Sequence, residues 1–129
     1  MAELSIGSTC VFPYKSGTYI GTLTEFASRS NRAVVMIQAV LEHPLQGDLH
    51  HPYATDVPLF HERKASAFGE QVLVPLGQLE AFDGEVPEYT LSLRHAYEQS
   101  LAAMKARGDT FGELSVRCLE QVRSEYGSW

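Results

Sequence analysis

Four of the five histidines in this 129-residue chain fall within nineteen residues: His43, His50, His51 and His61. Asp48, Asp56 and Glu62 are interleaved with them. Imidazole and carboxylate are the donors that zinc, iron or manganese take. A metal-dependent enzyme built here would use His43, Asp48, His50, His51 and His61. The spacing argues the other way. No two of these residues stand at the i, i+4 separation that puts two ligands on one helical face, and no glycine-rich metal loop is present. The set would have to converge through loop geometry alone. The commoner use of loop histidines is to hydrogen-bond the backbone and hold a proline-rich turn. Clustered imidazoles also bring charge changes near neutrality within reach.

A second use of the same stretch is recognition. Phe60-His61-Glu62-Arg63-Lys64 mixes an aromatic ring with both signs of charge, and arginine beside aromatic groups is enriched where partners bind. Leu45, Asp48, His50, Phe60, His61 and Arg63 are therefore the residues expected to form a protein-binding surface. No Gly-x-Ser-x-Gly, P-loop or dinucleotide fingerprint occurs. Cys10 and Cys118 have no histidine beside them in sequence and belong to no CxxC pair, so they read as two buried thiols in a reducing cytosol. The acidic stretch Glu80, Asp83, Glu85 and Glu88 reads as a solvated face, with Glu88 suited to the positive start of the next helix. The expectation is a non-enzyme without a cofactor that acts by binding a protein.

The elements that must carry this surface follow from the hydrophobic pattern. Thr9 to Tyr14 reads as a strand, then Thr18 to Phe26 after the break Lys15-Ser16-Gly17. Gly21 inside that strand suits a bend or a close backbone approach. Ala33 to Leu41 is a nearly continuous apolar run, as expected of a strand buried on both faces or of a curved barrel strand. His43 to Phe60 holds three prolines and a glycine, which exclude a long regular element. A connection of this length in a compact domain is usually functional or disordered, and its aromatics and leucines favour an ordered loop. Glu62 to Phe68 and Gln71 to Pro75 are read as the last two strands, joined at Gly69-Glu70, with a short helical turn over Gln78 to Phe82.

Beyond Leu76 the period changes. Tyr89, Leu93, Tyr97, Leu101 and Met104 mark one face of a helix that opens near Pro87 and ends at Gly108. Asp109 and Thr110, the latter with Glu113, are rival caps of a second helix. Its stripe is Phe111, Leu114, Cys118, Val122 and Tyr126, and Gly127 stops it. The short turn at Gly108-Asp109 makes the two helices antiparallel neighbours. Trp129 either frays or docks back. The expected class is α+β: a small SH3-like β-barrel of about five strands over residues 1–75, and a helical hairpin over 76–129 packed on it, all in one domain.

Composition narrows the partner. The formal net charge is −6, and both halves of the chain are acidic, whereas neutralising a phosphate backbone needs clustered lysine and arginine. Nucleic acid is an unfavoured partner, although Lys15, Arg29, Arg32, Arg63 and Lys64 would make a small patch if they met. The N-terminus lacks a secretion signal, and no segment approaches the ~20 apolar residues of a membrane span. The chain is expected in the cytoplasm with no direct membrane insertion.

At His43-Pro44-Leu45-Gln46-Gly47-Asp48-Leu49-His50, continued by Val57-Pro58-Leu59-Phe60-His61-Glu62-Arg63-Lys64-Ala65, the sequence resembles the kinase-associated protein B family. Tyr14 to Gly21 and Gly84 to Thr90 are similar to it as well, so the resemblance spans nearly the whole chain. It implies an SH3-like barrel with appended helices. It also implies an accessory role in the phosphorelay that starts sporulation, through activation of a membrane-bound sensor histidine kinase at the inner face of the membrane. It transfers no catalytic residues. The family is sometimes called a lipoprotein, and here the sequence departs from the label: Cys10 follows Leu4-Ser5-Ile6-Gly7-Ser8-Thr9, which is no export signal.

Overall fold

The computed structural model describes residues 4–27, 29–127 and 129. β-Branched and aromatic runs form the first three strands: β1 (Thr9–Tyr14), β2 (Gly17–Ala27) and β3 (Arg32–Glu42). A long connection leads to β4 (Gln71–Pro75), a single 3-10 turn over Leu76–Gln78, and the two-residue β5 (Glu80–Ala81). All ladders are antiparallel, and the five-stranded sheet has the order β4-β3-β2-β1-β5.

The sheet curls because its central ladder is irregular. The β2–β3 register shifts three times, between Thr18 and Tyr19, between Ile20 and Gly21, and between Leu23 and Glu25; such bulges bend a strand and add twist. Gly21 is one of these points, and a Cβ there would lie 2.6 Å from the Met36 carbonyl and 2.7 Å from Val35. The close approach expected of this glycine is therefore real. Cys10, Phe12, Tyr19, Leu23, Val35, Ile37, Val72 and Val74 fill the core on the concave side.

Two sequence expectations fail. Glu62 to Phe68 is not a strand, and Gln78 to Phe82 is not a helical turn. The helical turn comes earlier, at Leu76–Gln78, and the fifth strand is the short β5, paired with β1. The sheet thus runs past residue 75.

Two helices follow, α1 (Tyr89–Arg107) and α2 (Thr110–Arg123). The Glu88 carboxylate accepts from the Thr90 and Leu91 N–H groups and caps α1, and Gly108 closes it in the left-handed conformation. Of the rival caps on α2, Asp109 wins, accepting from the Gly112 N–H. Leu93 and Ala96 enter the sheet core. The Ser92 hydroxyl accepts from the Val40 N–H at 3.0 Å and so joins α1 to β3. The Tyr97 hydroxyl donates to the Leu119 carbonyl at 2.9 Å and locks the hairpin. No described helix is long and apolar enough to cross a membrane.

Candidate functional site

Residues 43–66 run between β3 and β4 without joining either ladder, so their backbone polar groups need other partners. Gln46 supplies three. Its buried amide donates to the Pro44 and Arg63 carbonyls, both at 2.9 Å, and its carbonyl accepts from the Arg63 N–H at 2.7 Å. The Gly47 N–H donates to the His61 carbonyl at 2.8 Å, and the Arg63 guanidinium donates back to the Gly47 carbonyl at 3.0 Å. One glutamine therefore closes the base of the loop. Gly47 has φ +102° and lies under the Phe60 ring, which a Cβ would meet at 2.8 Å. Conformation and space both require glycine there.

Three tyrosines hold the segment expected to be a strand. The Tyr126 hydroxyl accepts from the Ala65 N–H at 2.9 Å, the Tyr19 hydroxyl accepts from the Ser66 N–H at 3.0 Å, and the Tyr89 hydroxyl donates to the Ser66 carbonyl at 2.6 Å. With the N–H and C=O groups of Arg63 and Ser66 and the Ala65 N–H taken up by side chains, few backbone groups of the segment remain for a ladder. This is the physical reason the strand is missing.

His43 belongs to this framework. It is buried, and edge-on to both Tyr97 and Tyr126. Its Nδ1 faces the Pro44 carbonyl at 3.2 Å and its Nε2 faces the Tyr126 hydroxyl at 2.7 Å. A carbonyl only accepts, so Nδ1 carries the proton. Nε2 then accepts from the Tyr126 O–H, whose oxygen accepts in turn from Ala65. Burial pushes the imidazole down to about 4, against a small opposing effect of the Pro44 carbonyl. Trp129 does dock back, stacked on Tyr126 at 5.4 Å and covered by the Arg123 guanidinium at 4.1 Å.

The loop's outer part is a turn built on Asp48. Its carboxylate accepts from the His50 N–H at 2.9 Å and lies 3.3 Å from His51 Nδ1. These contacts, the His50 N–H first, hold the carboxyl below its ordinary range. The turn leans on the start of α2. Phe60 meets Phe111 edge-on at 5.7 Å, Tyr53 lies 5.1 Å from the same ring, and the Arg107 guanidinium sits over both Tyr53 and Phe111. Leu49, Tyr53 and Leu59 stand exposed on the crest.

The five histidine-set residues do not converge. His43 is committed to Pro44 and Tyr126, Asp48 and His51 meet each other, and His50 and His61 are exposed. Among the described residues no group of three or more histidine, cysteine, aspartate or glutamate side chains is placed to hold a metal ion. Of the recognition set, His50 and His61 are exposed, and Leu45 and Asp48 are half-buried. Phe60 and Arg63 are half-buried as well and are partly spent on holding Gly47. Sequence reasoning missed Gln46 and Tyr53. The bases do not form one patch, since Lys64 pairs with Glu125 at 3.8 Å and Arg63 turns into the loop. Cys10 is fully buried in β1, donates to the Gly21 carbonyl at 3.6 Å, and has its thiol pushed up to about 11 by burial. Modifying it would require opening the sheet core.

Comparison with known proteins places this geometry. A family profile described as Kinase associated protein B matches residues 14–127. The chain is 45% identical over 126 residues to Kinase-associated lipoprotein B of Bacillus subtilis (strain 168), covering 98% of this chain and 97% of that protein. It is also similar to a solved structure, the X-ray crystal structure of kinase-associated protein B from Bacillus cereus. There the identity is 32% and the TM-score 0.81, over 98% of this chain and 100% of the other.

Proposed function

The chain belongs to the kinase-associated protein B family, and on that premise we propose that it is a non-catalytic accessory protein that binds a sensor histidine kinase and promotes its activation in the sporulation phosphorelay. The observation that carries the reading is the full-length match to a protein named for its association with a kinase. In this reading the protein works in the cytoplasm and reaches the inner face of the membrane through its partner. Its scaffold is SH3-like, which the strand order and the 3-10 turn between the edge strands support.

The contact surface is the loop crest: Leu45, Asp48, His50, Phe60, His61 and Arg63, joined by the exposed Leu49, Tyr53 and Leu59. Exposed apolar side chains grouped on one ordered loop mark interaction sites more often than scattered ones do. The internal ties of this loop mean that little ordering entropy is lost when a partner docks.

The test uses exposed positions, because Phe60 and Arg63 also brace the loop. His61→Ala and Leu59→Ala are expected to weaken capture of the purified cytoplasmic part of the kinase about tenfold each, a truncation cost typical of a binding surface. Their thermal unfolding should match the parent chain. Unchanged capture by both variants removes the surface. Failure of the parent chain itself to bind any sensor histidine kinase of its own cell removes the kinase role.

A further inference from the structure

The free edge of β4 carries an unused set of backbone hydrogen-bonding groups. The β3–β4 register pairs Ala33 with Val74 and Val35 with Val72. In the same register the Leu76 N–H donates to the Asn31 carbonyl, and the Ile37 N–H to the Glu70 carbonyl. In an antiparallel ladder the directly bonded pairs alternate. Val72 and Val74 therefore turn their backbone groups to β3, while Gln71, Leu73 and Pro75 turn theirs outward. Since β4 ends the sheet, nothing among the described residues pairs with that side. The outward groups are the N–H and C=O of Gln71 and Leu73 and the C=O of Pro75, which has no N–H to offer.

A groove of about 260 Å³ runs along this edge. One wall is Leu73 and Pro75, with Leu73 exposed, and the other is Pro13, Tyr14 and Lys15, with Gln78 at the floor. Lys15 is the one charged residue of the lining. It sits in a turn where it and Ser16 hold φ of 45° and 68°, a conformation that costs free energy for residues with a side chain. Two hydrogen bonds between Ser16 and Leu45 brace that turn from the loop side. The Lys15 ammonium lies over the Tyr14 ring at 5.4 Å, and among the described residues no carboxylate pairs with it.

We propose that the β4 edge and its groove bind an extended peptide segment of a partner protein, added as a short strand, with alternating apolar and acidic side chains. Gln71 and Leu73 give it four backbone hydrogen bonds, and the Pro75 carbonyl accepts a fifth. Apolar side chains on one face of the added strand lie against Leu73 and Tyr14, and acidic ones meet Lys15. Strand addition of this kind takes its affinity from main-chain bonds and its specificity from alternate side chains. Proline at the end of the edge limits the added strand to about three paired residues and disfavours a second copy of this sheet. This site is separate from the loop crest, so either can fail while the other stands.

The probe is the blocked peptide acetyl-Val-Glu-Val-Glu-Val-amide, titrated into the full chain and followed by amide NMR and hydrogen exchange. Gln71 and Leu73 amides are expected to shift and gain protection, while Val72 and Val74, already bonded to β3, change little. The same peptide with its edge-facing amides N-methylated should not bind. Leu73→Pro removes an outward N–H and no bond to β3, and it should weaken binding about tenfold, the scale of one or two lost hydrogen bonds. Lys15→Glu should cost up to about fivefold with this peptide and favour its lysine counterpart, as expected for an exposed charge contact. Absence of protection at Gln71 and Leu73 with peptide in excess overturns the proposal. So does unchanged binding by the N-methylated peptide, or sedimentation showing the edge already occupied by a second copy.

Discussion

Strand β3 and the 43–66 connection that continues it face the same demand and meet it differently. Each must satisfy backbone polar groups lying over or beside a hydrophobic core. β3 does so with ladders on both sides, to β2 and to β4. The connection does so with side chains, chiefly one glutamine and three tyrosines drawn from β2, α1 and the end of the chain. A ladder shares its load over many equivalent bonds. A side-chain framework concentrates it on a few atoms, and this yields a fixed but irregular surface whose stability hangs on single residues.

The largest effect is expected at Gln46. Gln46→Ala strands the Arg63 N–H and carbonyl, while the Pro44 carbonyl keeps the His43 Nδ1–H. At roughly 1–3 kcal/mol for each buried group left unpaired, the expected loss is about 4 kcal/mol in urea unfolding. The amides of Gly47 and Arg63 should lose exchange protection well before those of β3. A cost below about 1 kcal/mol would show that water replaces the glutamine without penalty, and the contrast between the two regions would not hold.

His43 gives the next effect, and its sign follows from burial. The folded ring titrates at about 4, while an unfolded histidine titrates near 6.5. The unfolded chain therefore binds more protons between these values. The full stability is present above about pH 6.5 and falls as pH drops toward 4, by about 3 kcal/mol in all. Asp48, Glu88 and Asp109, all held low by hydrogen bonds, lose their contributions only below about pH 4.5, so the span from about 6.5 to 4.5 reports His43. His43→Gln should flatten the slope between pH 6.5 and 4.5 in denaturation curves. A slope that persists in the variant would place the titration elsewhere.

The same contrast explains what the sequence reveals. β1, β2, β3, β4 and both helices are legible because each is decided by neighbours within a few residues: alternation, a cap such as Asp109, a stop such as Gly108. Glu62 to Phe68 has the composition of a strand and misleads. Its partners are Gln46, Tyr19, Tyr89 and Tyr126, which lie between 17 and 61 residues away in sequence. No local pattern announces such bonds. The two-residue β5 is invisible for a related reason, since only its position beside Cys10 and Val11 makes it a strand. In the loop, the prolines and glycine indicate an irregular segment, and the aromatics and leucines an ordered one. Among the loop histidines His43 has the commoner structural use, bonded to the Pro44 carbonyl and Tyr126, while His50 and His61 stand free at the surface. Gln46 has a faint signal: a glutamine between proline and glycine, in a segment too apolar to be a solvated linker.

The smallest effect separates neutral from ionic support within the framework. Lys64 and Glu125 approach to 3.8 Å with both side chains about half exposed, and the Lys64 ammonium lies 5.9 Å from the Tyr126 ring. These contacts sit on the same segment that Tyr126 clamps through Ala65, so they would reinforce the clamp if charge mattered there. Exposed pairs of this kind contribute less than about 0.5 kcal/mol. A double-mutant cycle of Lys64→Ala and Glu125→Ala should accordingly give a coupling below that value, and one that vanishes in high salt. Tyr126→Phe in the same background should cost more, because the hydroxyl is the joint between His43 and Ala65. A Lys64–Glu125 coupling equal to the hydroxyl's would move the support of this segment from hydrogen bonding to charge, and would make the loop's geometry sensitive to ionic strength.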